Sequence, residues 1–233
     1  MKLLSQNSEL KKDGIWNWSL PAWQVQLSDG TWFNACPNAD YCAHLCYARN
    51  GTYLFPTVKG KHIANLEYTL NDLVGWKLNM IDEINRIGLN KIKWLRIHDS
   101  GDFYSDDYLR AWINICSNIP SVTFYAYTKQ VEMFKRVLKD YCPQNFKYLF
   151  SLGGKEDHLI DLEKDRHAEV FPDLESLLAS GYSDQSENDL LAVTLPTNRI
   201  GLTANNIKHL QKKQARHTFG SGQAERLEKR QAH

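Results

Sequence analysis

Val122-Thr123-Phe124-Tyr125-Ala126-Tyr127 is the stretch on which the fold turns. Its β-branched and aromatic residues read as a strand, which ends at Thr128-Lys129. Apolar residues at Val131, Phe134, Val137, Leu138 and Tyr141 then recur at helical spacing until Pro143 stops them. The same alternation extends in both directions. Upstream, Lys93-Trp94-Leu95-Arg96-Ile97 reads as a strand, and Tyr108, Leu109, Trp112, Ile113 and Cys116 as a helical stripe closed by Pro120. Downstream, Lys147 to Leu152 reads as a strand stopped by Gly153-Gly154, with charged helical stretches near 159–164 and 174–179. Leu190 to Leu195 reads as a last strand before Pro196.

Strand–helix–strand order at this spacing predicts an α/β fold with a parallel sheet. A complete eight-fold barrel usually needs about 250 residues. The chain has 233, which predicts a partial (β/α) barrel of five or six parallel strands. Nearer the start, Trp23 to Leu27 and Thr31 to Phe33 read as strands around a Ser28-Asp29-Gly30 turn. Apolar positions from Leu66 to Ile87 predict one helix over 65–87, capped by Gly88. The expected organisation is an N-terminal arm (1–20), a partial barrel with a cysteine loop (21–205) and a basic tail (206–233) that is helical and solvated or disordered.

The 28 basic and 27 acidic residues leave a net charge of +1, which makes no overall case for nucleic acid or an anionic membrane. No apolar run approaches the roughly 20 residues that span a bilayer, and the N-terminus lacks the apolar region of a signal peptide. Five cysteines, three of them clustered, do not form a secreted disulfide framework. A cytoplasmic setting is expected. A nucleic-acid contact through the basic tail is the minor option for a partner.

The cluster is Cys36-x5-Cys42-x3-Cys46, in a loop rich in Pro, Asn and Asp. Three thiolates can hold three irons of a 4Fe–4S cluster and leave the fourth iron open. With His44 or a distant ligand they could instead close a tetrahedral zinc site. Cys116, on an apolar stripe, and Cys142, at a helix end, read as structural.

In parallel α/β proteins functional groups gather where strands end at their carboxyl termini. That rule collects the three cysteines, then His98, Asp99, Ser100, Gly101 and Asp102, then Tyr127, Thr128 and Lys129, then Ser151 with Gly153-Gly154, and Thr194. Asp99 and Asp102 could bind a divalent ion, as in a phosphodiesterase. Ser105-Asp106-Asp107 reads as a helix cap with first-turn acids. His98 reads equally as a buried histidine and as a catalytic one.

The cysteine loop followed by Tyr47-Ala48-Arg49 resembles radical S-adenosylmethionine proteins, and Ser100-Gly101-Asp102 resembles their Gly-Gly-Glu type motif. The stretches Cys36 to Ala48, Arg96 to Ser105 and Phe124 to Lys129 are similar to the phage-associated gene product 88 family, which would place the chain in a host cytoplasm. The first resemblance implies a 4Fe–4S cluster on Cys36, Cys42 and Cys46, with S-adenosylmethionine on its open iron. Ser100, Gly101 and Asp102 would hold the cofactor's amino group, and Ser151 or Thr194 would reach its ribose. Tyr127 or Lys129 would face the substrate, with His98 the further catalytic candidate. An electron donor such as flavodoxin or ferredoxin would reduce the cluster. The usual spacing in that family is C-x3-C-x2-C with an aromatic before the last cysteine; here Leu45 precedes Cys46 and Tyr47 follows it. The competing expectation is a zinc-binding structural or nucleic-acid-binding protein on the same cysteines.

Overall fold

The structure is a computed structural model and describes residues 2–232. The chain opens with α1 (Ser8–Lys12) and β1 (Ile15–Trp18), then a hairpin of β2 (Gln24–Gln26) and β3 (Trp32–Asn34), then the single turn α2 (Tyr41–His44). Next come α3 (Pro56–Asn71), α4 (Leu73–Ile87), β4 (Trp94–Ile97), α5 (Asp106–Asn118), β5 (Thr123–Thr128), α6 (Val131–Val137) and β6 (Phe146–Ser151). The last third holds β7 (His167–Phe171), α7 (Leu174–Ala179), β8 (Ser183–Asp184), α8 (Leu191–Thr194), β9 (Arg199–Thr203), α9 (Lys208–Gln214) and α10 (Phe219–Gln231).

Seven strands form one parallel sheet in the order β1-β4-β5-β6-β7-β9-β8, and the β2–β3 hairpin is a separate antiparallel pair. The α/β class and the parallel sheet are as expected, with more strands than the expected five or six. The N-terminal arm is an edge strand, Ile15 to Trp18 pairing in register with Trp94 to Ile97. The long helix expected over 65–87 is two helices. Asp72 breaks it with an extended backbone (φ −149°, ψ 74°), and its carboxylate caps α4 by accepting from Gly75 N–H.

Where a strand was expected over Leu190 to Leu195, Leu191–Thr194 forms the helical turn α8. A short apolar run does not by itself separate a buried strand from a buried helix turn. The charged stretch 159–164 holds no α-helix, only the end of a 3-10 turn at Asp157–Leu159. Strand β7 escapes a reading by alternation because His167 and Glu169 take two of its buried positions.

The strands present two unlike faces, as their two-residue period requires. Trp18, Leu95, Ile97, Phe124, Ala126, Phe146 and Phe150 point to one side and pack with Trp76, Met80 and Ile84 of α4, Trp112 of α5 and Phe134 of α6. Ile15, Trp94, Tyr125, Tyr127, Leu149, Ala168 and Ile200 point to the other, where Leu10 of α1 and Leu190, Ala192 and Val193 cover only part of it. Polar side chains gather on this open face near the carboxyl ends of the strands.

Candidate functional site

Two polar constructions stand at the carboxyl ends of β4, β5 and β6. The first ties the loops together around Asp102, whose side chain is buried. Its Oδ1 accepts from Thr128 Oγ1 (2.7 Å) and Phe103 N–H (2.8 Å), and its Oδ2 from Lys129 N–H (2.9 Å). Burial pushes this carboxyl up to about 6 against those three hydrogen bonds. Lys129 Nζ donates to Ser151 O and Oγ and to Leu152 O at 2.8–2.9 Å. Asp102 and Lys129 therefore clamp the ends of three strands to one another.

The second construction lies on the open face. The Arg96 guanidinium sits 5.1 Å above the Tyr127 ring and ion-pairs with Asp189 (3.1 Å) and Asp99 (3.5 Å). Burial opposes its charge, but the two carboxylates keep it ionised, well above the ordinary guanidinium range. Asp189 also accepts from the Tyr125 hydroxyl, and Tyr127 donates to Gln185 Oε1 (2.6 Å). Asp99 accepts from Tyr53 at Oδ2 (2.6 Å), and its backbone carbonyl accepts from Tyr47 (2.5 Å). Burial raises all four tyrosines, so they remain neutral phenols. Tyr47 keeps 38% of its surface open to water, and Arg96, Asp99, Tyr127 and Asp189 are half-buried. The result is a largely buried polar cluster with aromatic walls, its Arg96, Asp99 and Asp189 side chains 14%, 10% and 15% exposed, and this cluster is the recess of the open face. Arg96 Nε has no hydrogen-bond partner there.

The cysteine loop is fastened across the same rim. Asp102 N–H donates to Ala35 O, Cys42 N–H to Gly153 O, and Lys155 N–H to Asn38 O. Gly154 permits this approach, because a Cβ there would lie 2.9 Å from Asn38 O. Cys36, Cys42 and Cys46 share the neighbourhood. Burial raises all three, Cys46 to about 11, and their mutual charges add to the rise at Cys36 and Cys46. Cys36 Sγ accepts from Trp23 N–H (3.3 Å). Among the described residues, no group of three or more His, Cys, Asp or Glu side chains is arranged to hold a metal ion.

Several expected roles change with this geometry. His98 lies on the helix-covered face between Phe103 and Tyr108, its Nε2 2.9 Å from the Tyr108 hydroxyl. Burial lowers it to about 3, so it is a neutral core residue away from the recess. Thr194 stands on α8, exposed, and donates to Leu190 O; with its strand gone it marks no strand end. Gly101, at φ +88°, makes a tight turn in which a Cβ would come within 2.6 Å of Leu20. Ser100 is buried, its carbonyl accepts from Leu20 N–H, and its hydroxyl has no partner. Asp102, Lys129 and Ser151 are at the rim as expected, where they bond one another's loops. Tyr127 does face the recess.

Cys116 is buried as expected, whereas Cys142 is exposed. The basic tail is helical and packed: Arg226 and Arg230 are committed to Asp40, and Lys229 to Glu225. Those side chains are not free for phosphates. Arg96, Asp189, Gln185, Tyr47 and Tyr53 were not singled out from sequence. The available signal was Arg96, a charge inside the otherwise apolar strand Trp94-Leu95-Arg96-Ile97.

Residues 1–230 match the family model described as "Gene product 88". Two phage proteins are similar to part of the chain. The "Gene 88 protein" of Mycobacterium phage L5 is 33% identical over 112 residues, covering 45% of this chain and 46% of the relative. That of Mycobacterium phage D29 is 32% identical over 112 residues with the same coverage. The chain thus spans about half the length of the curated relatives it matches. No solved structure matches. The expectation of an iron–sulfur enzyme of radical S-adenosylmethionine type is overturned. The cysteines assemble no ligand set, and no radical S-adenosylmethionine family is matched. The zinc alternative fails on the same arrangement of donors. Among the described residues, no helix is long and apolar enough to cross a membrane.

Proposed function

The chain belongs to the gene product 88 family, and from the geometry of its open face we infer that it binds a small, uncharged ring compound of the nucleoside class in the Arg96 recess. The observation that carries this reading is the partly exposed stack of Arg96 on Tyr127, bordered by Asp99, Asp189 and Gln185. Tyr127 and Tyr47 offer aromatic surface for a planar ring. The carboxylates accept from hydroxyl and amino donors. One guanidinium against two carboxylates leaves the recess with a net charge of −1, which disfavours a polyphosphate. Parallel α/β sheets bind ligands at this end because the loops there are free to vary. We place this activity in the host cytoplasm, where the free cysteines stay reduced.

The test is thermal unfolding with each of the four ribonucleosides and, separately, their 5′-triphosphates. At a hundredfold excess over its Kd, a ligand of the native state stabilises it by about 2.7 kcal/mol. At least one nucleoside should raise the Tm, its triphosphate should raise it less, and Tyr127→Leu should abolish the shift. No shift with any nucleoside, or a larger one with the triphosphates, would overturn the reading.

A further inference from the structure

The last helix carries a device that the recess does not use. Asp40 immediately precedes the turn that holds Cys42, and its carboxylate, 6% exposed, is gripped by three side chains of α10. Arg230 makes a two-pronged contact (2.7 and 3.1 Å), Arg226 an ion pair (2.9 Å), and Gln223 Nε2 donates at 3.2 Å. Gln223 Oε1 also accepts from Tyr41 N–H (3.0 Å). The Tyr41 ring lies against the bare backbone of Gly222, where a Cβ would sit 2.1 Å from its Cζ. At the start of α10, Gly220 N–H donates to Glu169 (2.9 Å) and Thr218 forms a capping box with Ser221.

This contact is largely polar, its apolar part being the Tyr41 ring against Gly222 and edge-on to Phe219 (6.0 Å between centroids). Within α10 only Gly222 and Gln223 are buried, and its sequence opens Phe219-Gly220-Ser221-Gly222, a poor start for a helix on its own. An element with little buried apolar surface and an ionic clasp opens more readily than the aromatic core, and salt screens such a clasp.

We propose that α10 is a detachable strap that holds the cysteine loop closed on the rim, and that it releases as a unit, exposing the turn around Cys42, while the sheet stays folded. The chain contains its own reporters. Cys142 is exposed, Cys116 is buried in α5, and Cys42 is half-buried on the turn that α10 packs against.

The experiment is timed labelling with 5,5′-dithiobis(2-nitrobenzoate), with peptide mass spectrometry assigning each site. The full chain is compared with Arg226→Ala/Arg230→Ala and, separately, with Gly222→Ala. In both variants Cys42 should label at least tenfold faster than in the parent, while Cys116 keeps its rate and Cys142 reacts at once throughout. Added sodium chloride should accelerate Cys42 in the parent and scarcely at all in the arginine variant. Gly222→Ala disturbs the docking without changing charge and favours the isolated helix, so it separates strap release from loss of net charge. Unchanged Cys42 labelling, or Cys42 and Cys116 accelerating together as in global unfolding, would overturn the proposal.

Discussion

On one side of the sheet Trp112 sits 5.1 Å from the Trp76 ring and 6.4 Å from Phe124, all three fully buried under α4 and α5. On the other side, at neighbouring positions of the same strands, Arg96 stands between two carboxylates and a tyrosine ring, and water reaches it. The first layer owes its stability to removed apolar area and close packing, which are cumulative and non-directional. In the second, each charge is tolerated because its partner is there, so losing one member leaves the others uncompensated. The helix-covered face sets the fold, and the open face is where chemistry can vary.

The largest expected break in that contrast is Trp112→Ala. Emptying a buried tryptophan site costs about 3–5 kcal/mol, read as a fall in the urea midpoint with an unchanged slope. Tyr127→Phe on the open face removes one hydroxyl bond, to Gln185, and should cost about 1 kcal/mol. Comparable losses from the two would erase the distinction between the faces.

Next in size is Arg96→Ala, which leaves Asp99 and Asp189 facing each other and should cost about 3 kcal/mol. Adding Asp189→Asn should recover part of that loss, because the second change removes a charge the first left unpaired. A double-mutant cycle measures this coupling. Strict additivity would mean that Arg96 acts through packing on Tyr127 and not through its ion pairs.

Much of the contrast could be read from residues. Phe124 and Ala126 alternate with Tyr125 and Tyr127, which is enough to predict a strand with two different sides. Ser105 ahead of Asp106-Asp107 marked the start of α5, and Ser105 Oγ does accept from Tyr108 N–H (3.3 Å). Gly88 ends α4 at φ +99°, as its position implied. The recess was less legible because its members come from distant segments. Asp189 lies 93 residues from Arg96, in a polar stretch with no periodicity, and only the return of the chain across the open face joins them. The cysteines misled for a different reason. Close spacing in sequence does not fix where sulfur atoms point, and here Cys36 Sγ accepts a backbone N–H and, among the described residues, no three donors are arranged to hold a metal ion. His167 and Glu169 hid β7 because polar side chains on the covered face broke its apolar pattern.

That hidden strand supplies the sharpest of the effects. Glu169 shares a face with His167, which pairs with Phe150, and so it points under α10. Its Oε1 accepts from Gly220 and Val170 N–H. Burial, with the nearby Asp157 charge, raises it from 4.5 to about 7. In the unfolded chain it loses its proton near the ordinary value, so between those limits the native state holds more protons than the unfolded one. Stability must then be greatest at the acid end of the window and fall as pH rises through 7, levelling off from this group only about one pH unit higher. Linkage gives roughly 2 kcal/mol between pH 5 and pH 7 from this one group. Asp157 and Asp102 are also raised and slope the same way, so the wild-type decline is a sum. Glu169→Gln keeps an acceptor for Gly220 N–H but cannot ionise, and urea unfolding at pH 5, 6 and 7 should show a correspondingly shallower decline. Equal slopes in variant and parent would mean that Glu169 is ionised beneath α10, and that the covered face, like the open one, accommodates a charge at neutral pH.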